Sequence, residues 1–81
     1  MPNNANTLGN RGFAYLKDGA LDKAIANYDA VLRNDPKVAR ALYGRGLAKQ
    51  KKGDPGADAD IAAAKAIKSD IAEEFARYGV Q

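Results

Sequence analysis

Covalent chemistry has few residues to draw on in this chain. It holds no cysteine and no histidine, and Ser69 and Thr7 are its only serine and threonine. A hydroxyl nucleophile needs a base beside it, most often an imidazole. Zinc takes sulfur or imidazole ligands at most of its sites. The residues for either are missing, so the chain is expected not to be an enzyme and to carry no cofactor or metal. Asp58 and Asp60 are two residues apart and diverge on a helix. With Asp54 they do not match a calcium loop, which needs its own glycine and a late glutamate. Gly9-Asn10-Arg11-Gly12 and Gly44-Arg45-Gly46 suggest phosphate loops. Neither fits G-x-x-x-x-G-K-[ST] or G-x-G-x-x-G, and both fall inside helical segments rather than after a strand.

Recognition chemistry is better supplied. Net charge is +3, and six basic residues lie between Lys37 and Lys52 with no acid among them: Lys37, Arg40, Arg45, Lys49, Lys51 and Lys52. Acids gather later, at Asp54, Asp58 and Asp60 and again at Asp70, Glu73 and Glu74. A basic helix favours acidic partners, or is simply a solvated face balanced by acids nearby.

These residues must be placed by helices. The chain has 81 residues, enough for one small domain of marginal stability. Alanine is abundant and β-branched residues are scattered, which points to an all-α fold. Asp18-Gly19, Asp35-Pro36 and Gly53-Asp54-Pro55-Gly56 are the breakers. Gly19 and Gly53 suit left-handed helix ends, and Pro36 pushes Asp35 towards extended backbone. Asp54-Pro55 reads as an N-cap with proline in the first helical position. Between breakers, Leu21, Ala24, Ile25, Tyr28, Val31 and Leu32 share one helical face. Residues 38–52 have helical length but a weaker apolar stripe. A helix over about 57–68 is alanine-rich, and a last short one carries Ile71, Phe75 and Tyr78 on one side. Five helices are predicted.

A phrase repeats at a spacing of 34 residues: Leu8, Arg11, Gly12, Ala14, Lys17 and Gly19 return as Leu42, Arg45, Gly46, Ala48, Lys51 and Gly53. After the second glycine the register is expected to slip by one, pairing Ala24 with Ala59 and Leu32 with Ile67. Gly12 and Gly46 sit mid-helix, where glycine costs roughly 1 kcal/mol relative to alanine. Close approach of Ala24 and Ala59 is the expected compensation.

The pattern resembles the tetratricopeptide repeat (TPR), a helix-turn-helix unit of 34 residues. Leu8, Arg11, Gly12, Tyr15, Ala24, Tyr28 and Pro36 stand at the family's marked positions, with leucine for its tryptophan and arginine for its leucine. The second unit departs further, with Lys49 and Ala63 for aromatics and Ile71 where proline is usual. The resemblance implies a tail over 1–5, a first unit over 6–36, a degenerate second unit over 37–70 and a capping helix over 71–81. The fold implied is a fragment of an α-solenoid, built of antiparallel helix pairs.

The resemblance also implies a concave, ligand-facing surface on the first helix of each unit. Asn6, Asn10, Phe13 and Lys17 fall there in the first unit, and Arg40, Tyr43, Leu47 and Lys51 in the second. Phe13, Tyr43 and Leu47 have no core role in this register, which marks them as an apolar anchor with a cationic rim. The family's clamp for a C-terminal carboxylate is absent, since Gly9, Phe13 and Gly44 stand at its lysine and asparagine positions. A peptide- or protein-binding scaffold is therefore expected, with an acidic partner. The alternatives are a structural cap or self-assembling module of a longer array, and nucleic-acid binding through residues 38–52. With about two units and an uncapped first helix, the chain is also expected to form homo-oligomers or belong to a longer array. No apolar run approaches the roughly 20 residues that span a bilayer, and residues 1–7 lack a secretory leader. A soluble, cytoplasmic protein is the expectation.

Overall fold

Turn chemistry sets where the helices stop. In the computed structural model, which describes residues 5–79 and side chains from Thr7 to Gly79, Gly19 and Gly53 both have left-handed backbone, at φ of 80° and 78°. Each closes the helix before it with backbone N–H groups donated to the last turn. Asp35 is extended, as the following proline requires, and its Oδ1 accepts the Lys37 N–H at 3.0 Å. Between these stops run five helices: α1 (Ala5–Asp18), α2 (Leu21–Asn34), α3 (Ala39–Lys52), α4 (Ala57–Ile67) and α5 (Ile71–Arg77). Ala5, expected in the tail, is thus the first residue of α1. The described residues contain no strand.

Successive helices pack as antiparallel neighbours from α1 to α4, and α5 lies against α3 and α4. This places α3 at the centre. It buries Ala41, Leu42, Tyr43, Gly44, Leu47 and Ala48, which point in every direction around the helix. A helix packed on all sides carries no single stripe, which explains its weak amphipathic pattern.

The second helix pair is not in the expected register. Helix α3 starts 34 residues after α1 (Ala39 against Ala5), but α4 starts 36 after α2 (Ala57 against Leu21). The slip is two residues, both taken up in the turn at 53–56. Asp54 does not cap α4: its Oδ1 accepts the Gly56 N–H at 2.8 Å, closing a local turn that keeps Pro55 outside the helix. Ala24 therefore corresponds to Asp60 and Tyr28 to Ala64, and all four are buried. Ala59 is exposed and does not face Gly46. A side chain at Gly46 would meet Ile61 Cγ1 at 2.7 Å and the Ala57 carbonyl oxygen at 3.2 Å. At Gly12 it would meet the Tyr28 ring at 3.1 to 3.2 Å, not Ala24.

Gly9 differs from these glycines. It lies inside α1, and a Cβ there would touch nothing within 4 Å. Gly9→Ala is therefore expected to stabilise the fold by about 0.5–1 kcal/mol through helix propensity alone. Urea unfolding reads this directly, and an unchanged or lowered midpoint would show that the open space at Gly9 is misjudged.

Candidate interaction face

Phe13, Tyr43 and Leu47 do not form an open apolar patch. Tyr43 and Leu47 are 8% and 3% exposed and belong to the core, and Phe13 is half-buried. What covers them is α5. The Phe75 ring stands edge-on against Phe13, with centroids 5.4 Å apart, and against Tyr43 at 4.9 Å. Tyr78 makes a second edge contact with Phe13 at 6.1 Å. The backbones of α1 and α5 do not come close, so these rings span the gap between them. Ile71 is fully buried, as expected of a capping helix, and Phe75 nearly so. Tyr78 is 61% exposed despite its contact, and Glu74, expected to face water, is buried. Phe13 was expected to be bare because nothing precedes α1; its cover comes from the other end of the chain. That removes the reason for self-association drawn from a bare first helix.

Beside α5 the face remains open. A groove of about 360 Å³ runs between α1 and α5, with Gly9, Asn10 and Phe13 on one side and Arg40, Phe75 and Tyr78 among its other walls. Tyr28, Val31 and Val38 also line it. Of the expected ligand-facing residues, it gathers Asn10, Phe13 and Arg40. Lys17 stands 5.7 Å from the Phe13 ring centre, a cation–π distance. Lys51 is exposed and lines no part of the groove, and the side chain of Asn6 lies outside the described residues.

The basic segment is mostly neutralised at short range. Arg40 Nε donates to Glu74 Oε2 at 2.5 Å, and Lys68 Nζ lies 3.6 Å from the other Glu74 oxygen. That pairing holds the Glu74 carboxyl below its usual range, the Arg40 hydrogen bond outweighing the upward push of burial. Lys52 pairs with Asp22. Arg45 bridges two helices: Nε and Nη2 donate to the two Asp60 oxygens at 2.8 and 2.9 Å, and Nη1 to Asp29 at 2.9 Å. Lys49 adds a contact to Asp60 at 3.0 Å. Four of the six cations in the segment thus have carboxylate partners, which leaves little free charge for a phosphate backbone.

A family model described as TPR repeat matches residues 16–53, covering α2, α3 and the turns on either side. The chain belongs to the tetratricopeptide-repeat family. No curated protein and no solved structure matches it significantly. TPR repeats serve in general as protein–protein interaction modules and are typically non-catalytic scaffolds. Among the described residues no helix is long and apolar enough to cross a membrane. Nor does any group of three or more potential ligands gather there for a metal ion.

In the TPR register, Asp60 stands where the first unit has Ala24. Sequence reasoning missed it, because an aspartate on an alanine-rich helix reads as solvent-facing. The signal that could have found it is Arg45, repeated from Arg11 but with a carboxylate in reach. Arg11 itself donates only to the neutral Asn27 Oδ1, at 2.7 Å. Burial pushes the Asp60 carboxyl up, but the hydrogen bonds from Arg45 and Lys49 and their charges outweigh it, and the group ends below the usual carboxylate range. A lowered carboxyl contributes stability that is complete above its unfolded-state value and is lost as pH falls through the folded one. The TPR domain should therefore lose stability on acidification below about pH 4, and Asp60→Asn should flatten that loss. Urea midpoints at pH 7, 4 and 3 check this; parallel profiles for parent and variant would show that Asp60 does not carry the acid sensitivity.

Proposed function

We propose that this chain is a non-enzymatic protein-binding module whose contact face is the groove along α1 and α3 beside α5, and that its partner presents a large apolar side chain next to a carboxylate. The observation that carries the reading is the groove itself. Its wall is aromatic, from Phe13, Phe75 and Tyr78, and its rim holds Asn10 and Arg40. Arg40 uses only Nε on Glu74, and its side chain is 71% exposed. Its terminal nitrogens have no partner among the described residues and are directed by an ion pair that already fixes the guanidinium. An apolar side chain fits the aromatic hollow while a neighbouring carboxylate meets the fork.

Gly9 offers a clean test, because a side chain there enters the groove without disturbing the core. A displayed random-peptide library selected on the parent should enrich apolar–acidic sequences. Selected peptides should bind Gly9→Trp at least about tenfold more weakly, the loss of one well-buried anchor contact. Equal binding to parent and variant, with both chains equally helical, would place the contact elsewhere.

A further inference from the structure

Helix α5 has only seven residues, well short of the length at which a helix holds together alone in water. Its order comes from what it touches. Ile71, Glu74, Phe75 and Tyr78 follow the i, i+3, i+4, i+7 spacing of one helical face. Ile71 and Phe75 are buried, Phe75 meets rings from both α1 and α3, and Glu74 meets Arg40 and Lys68. Beneath it lie Tyr43 and Leu47, the residues that the repeat register assigns to the ligand-facing side. The chain's own last helix therefore sits where a ligand would, and it does so with a ligand's pattern: apolar groups for the aromatic floor and a carboxylate for the cationic edge.

We infer that α5 is an internal, displaceable occupant of the binding face, and that the partner which replaces it is an amphipathic helix of the same design. That partner carries large apolar residues at the first, fifth and eighth positions and a carboxylate at the fourth. The inference rests on the reading of α1 and α3 as the contact face, and it adds both the shape of the partner and the reason the free chain binds it weakly. While α5 is docked, the competent surface is covered. The apparent dissociation constant is raised by the reciprocal of the small fraction in which α5 is away. Of the contacts that retain α5, the rings and the Glu74 pairs are side-chain interactions. Its linker, Lys68 to Asp70, lets it leave without disturbing α4.

The test uses the full chain and a fluorescein-labelled peptide of residues 69–79. The parent should bind this probe weakly, because its own α5 competes from the same molecule. Phe75→Ala removes the main apolar hold of α5 and Glu74→Lys reverses its charge against Arg40; the Glu74 variant keeps Phe75 in case the first variant is poorly folded. In fluorescence anisotropy each variant that retains parental helicity should bind the probe at least about tenfold more tightly than the parent. A probe with lysine at the Glu74 position should lose that gain. If neither variant binds the probe more tightly, or if the lysine probe binds as well, α5 is a fixed part of the core and the displacement is overturned. Selected peptides that still depend on Gly9 in that event would leave the groove reading intact, and only the role of α5 would fall.

Discussion

Gly44→Ala should be among the most damaging single-methyl changes in this chain, costing about 2–3 kcal/mol despite its gain in helix propensity. The added Cβ would lie 2.3 Å from Tyr28 Cζ and 2.6 Å from its hydroxyl oxygen. Tyr28 cannot yield easily. Its ring is 2% exposed and its other side lies against Gly12. Burial also pushes the hydroxyl well above the usual tyrosine range, so ionisation offers no escape to solvent near neutrality. For a domain of this size the loss corresponds to a fall in Tm of roughly 10–20 °C. A paired Tyr28→Leu change makes room for the methyl, so the double variant should be less destabilised than the sum of the singles. Thermal and urea unfolding of all four chains decide it. A Gly44→Ala chain as stable as the parent, or strict additivity, would mean that ring and glycine are not in contact.

Arg45→Met is the second large effect. It leaves the Asp60 carboxylate, only 10% exposed, with Lys49 as its remaining cation and strips Asp29 of its partner. Breaking a fully buried pair costs about 3–5 kcal/mol, and the partial exposure of Arg45 reduces that to roughly 1–3 kcal/mol. The opposite change, Asp60→Ala, restores the residue of the first unit and should cost less, because the arginine can turn its head to water. Removing both partners should bring the chain back towards parental stability. Urea midpoints that rank Asp60→Ala below Arg45→Met would refute this assignment of the costs.

Much of the architecture could be read from residue order. Gly19, Gly53 and Pro36 mark their helix ends because the backbone geometry they need or forbid is local. The 34-residue echo of Leu8-Arg11-Gly12 in Leu42-Arg45-Gly46 likewise aligns α1 with α3. The two-residue slip before α4 was hidden because the turn at 53–56 can absorb one residue or two with the same composition. Tyr43 and Leu47 were expected on an open face because periodicity describes one helix at a time. Their cover comes from Phe75, 32 and 28 residues further on, and Phe13 meets the same ring across 62 positions. No local pattern encodes such a contact. Asn10, Phe13 and Arg40 were found because their side is set by helical phase alone. The Arg40–Glu74 pair was not, because Glu74 sits beside Glu73 in a segment that reads as solvated.

The Tyr28 ring also bears on how the domain comes apart. Arrays of short helical units ordinarily behave like a row of weakly linked segments, each able to melt while its neighbour stands. Here a side chain of α2 fills the space left by one glycine in α1 and another in α3, so the boundary between the first and second units runs through a single ring rather than between two surfaces. Losing either flanking helix strips half of the ring's surroundings and weakens the hold on the other. The two units are in that sense one cooperative block. A chain this short keeps order less by the strength of each unit than by leaving no seam at which to begin to unravel.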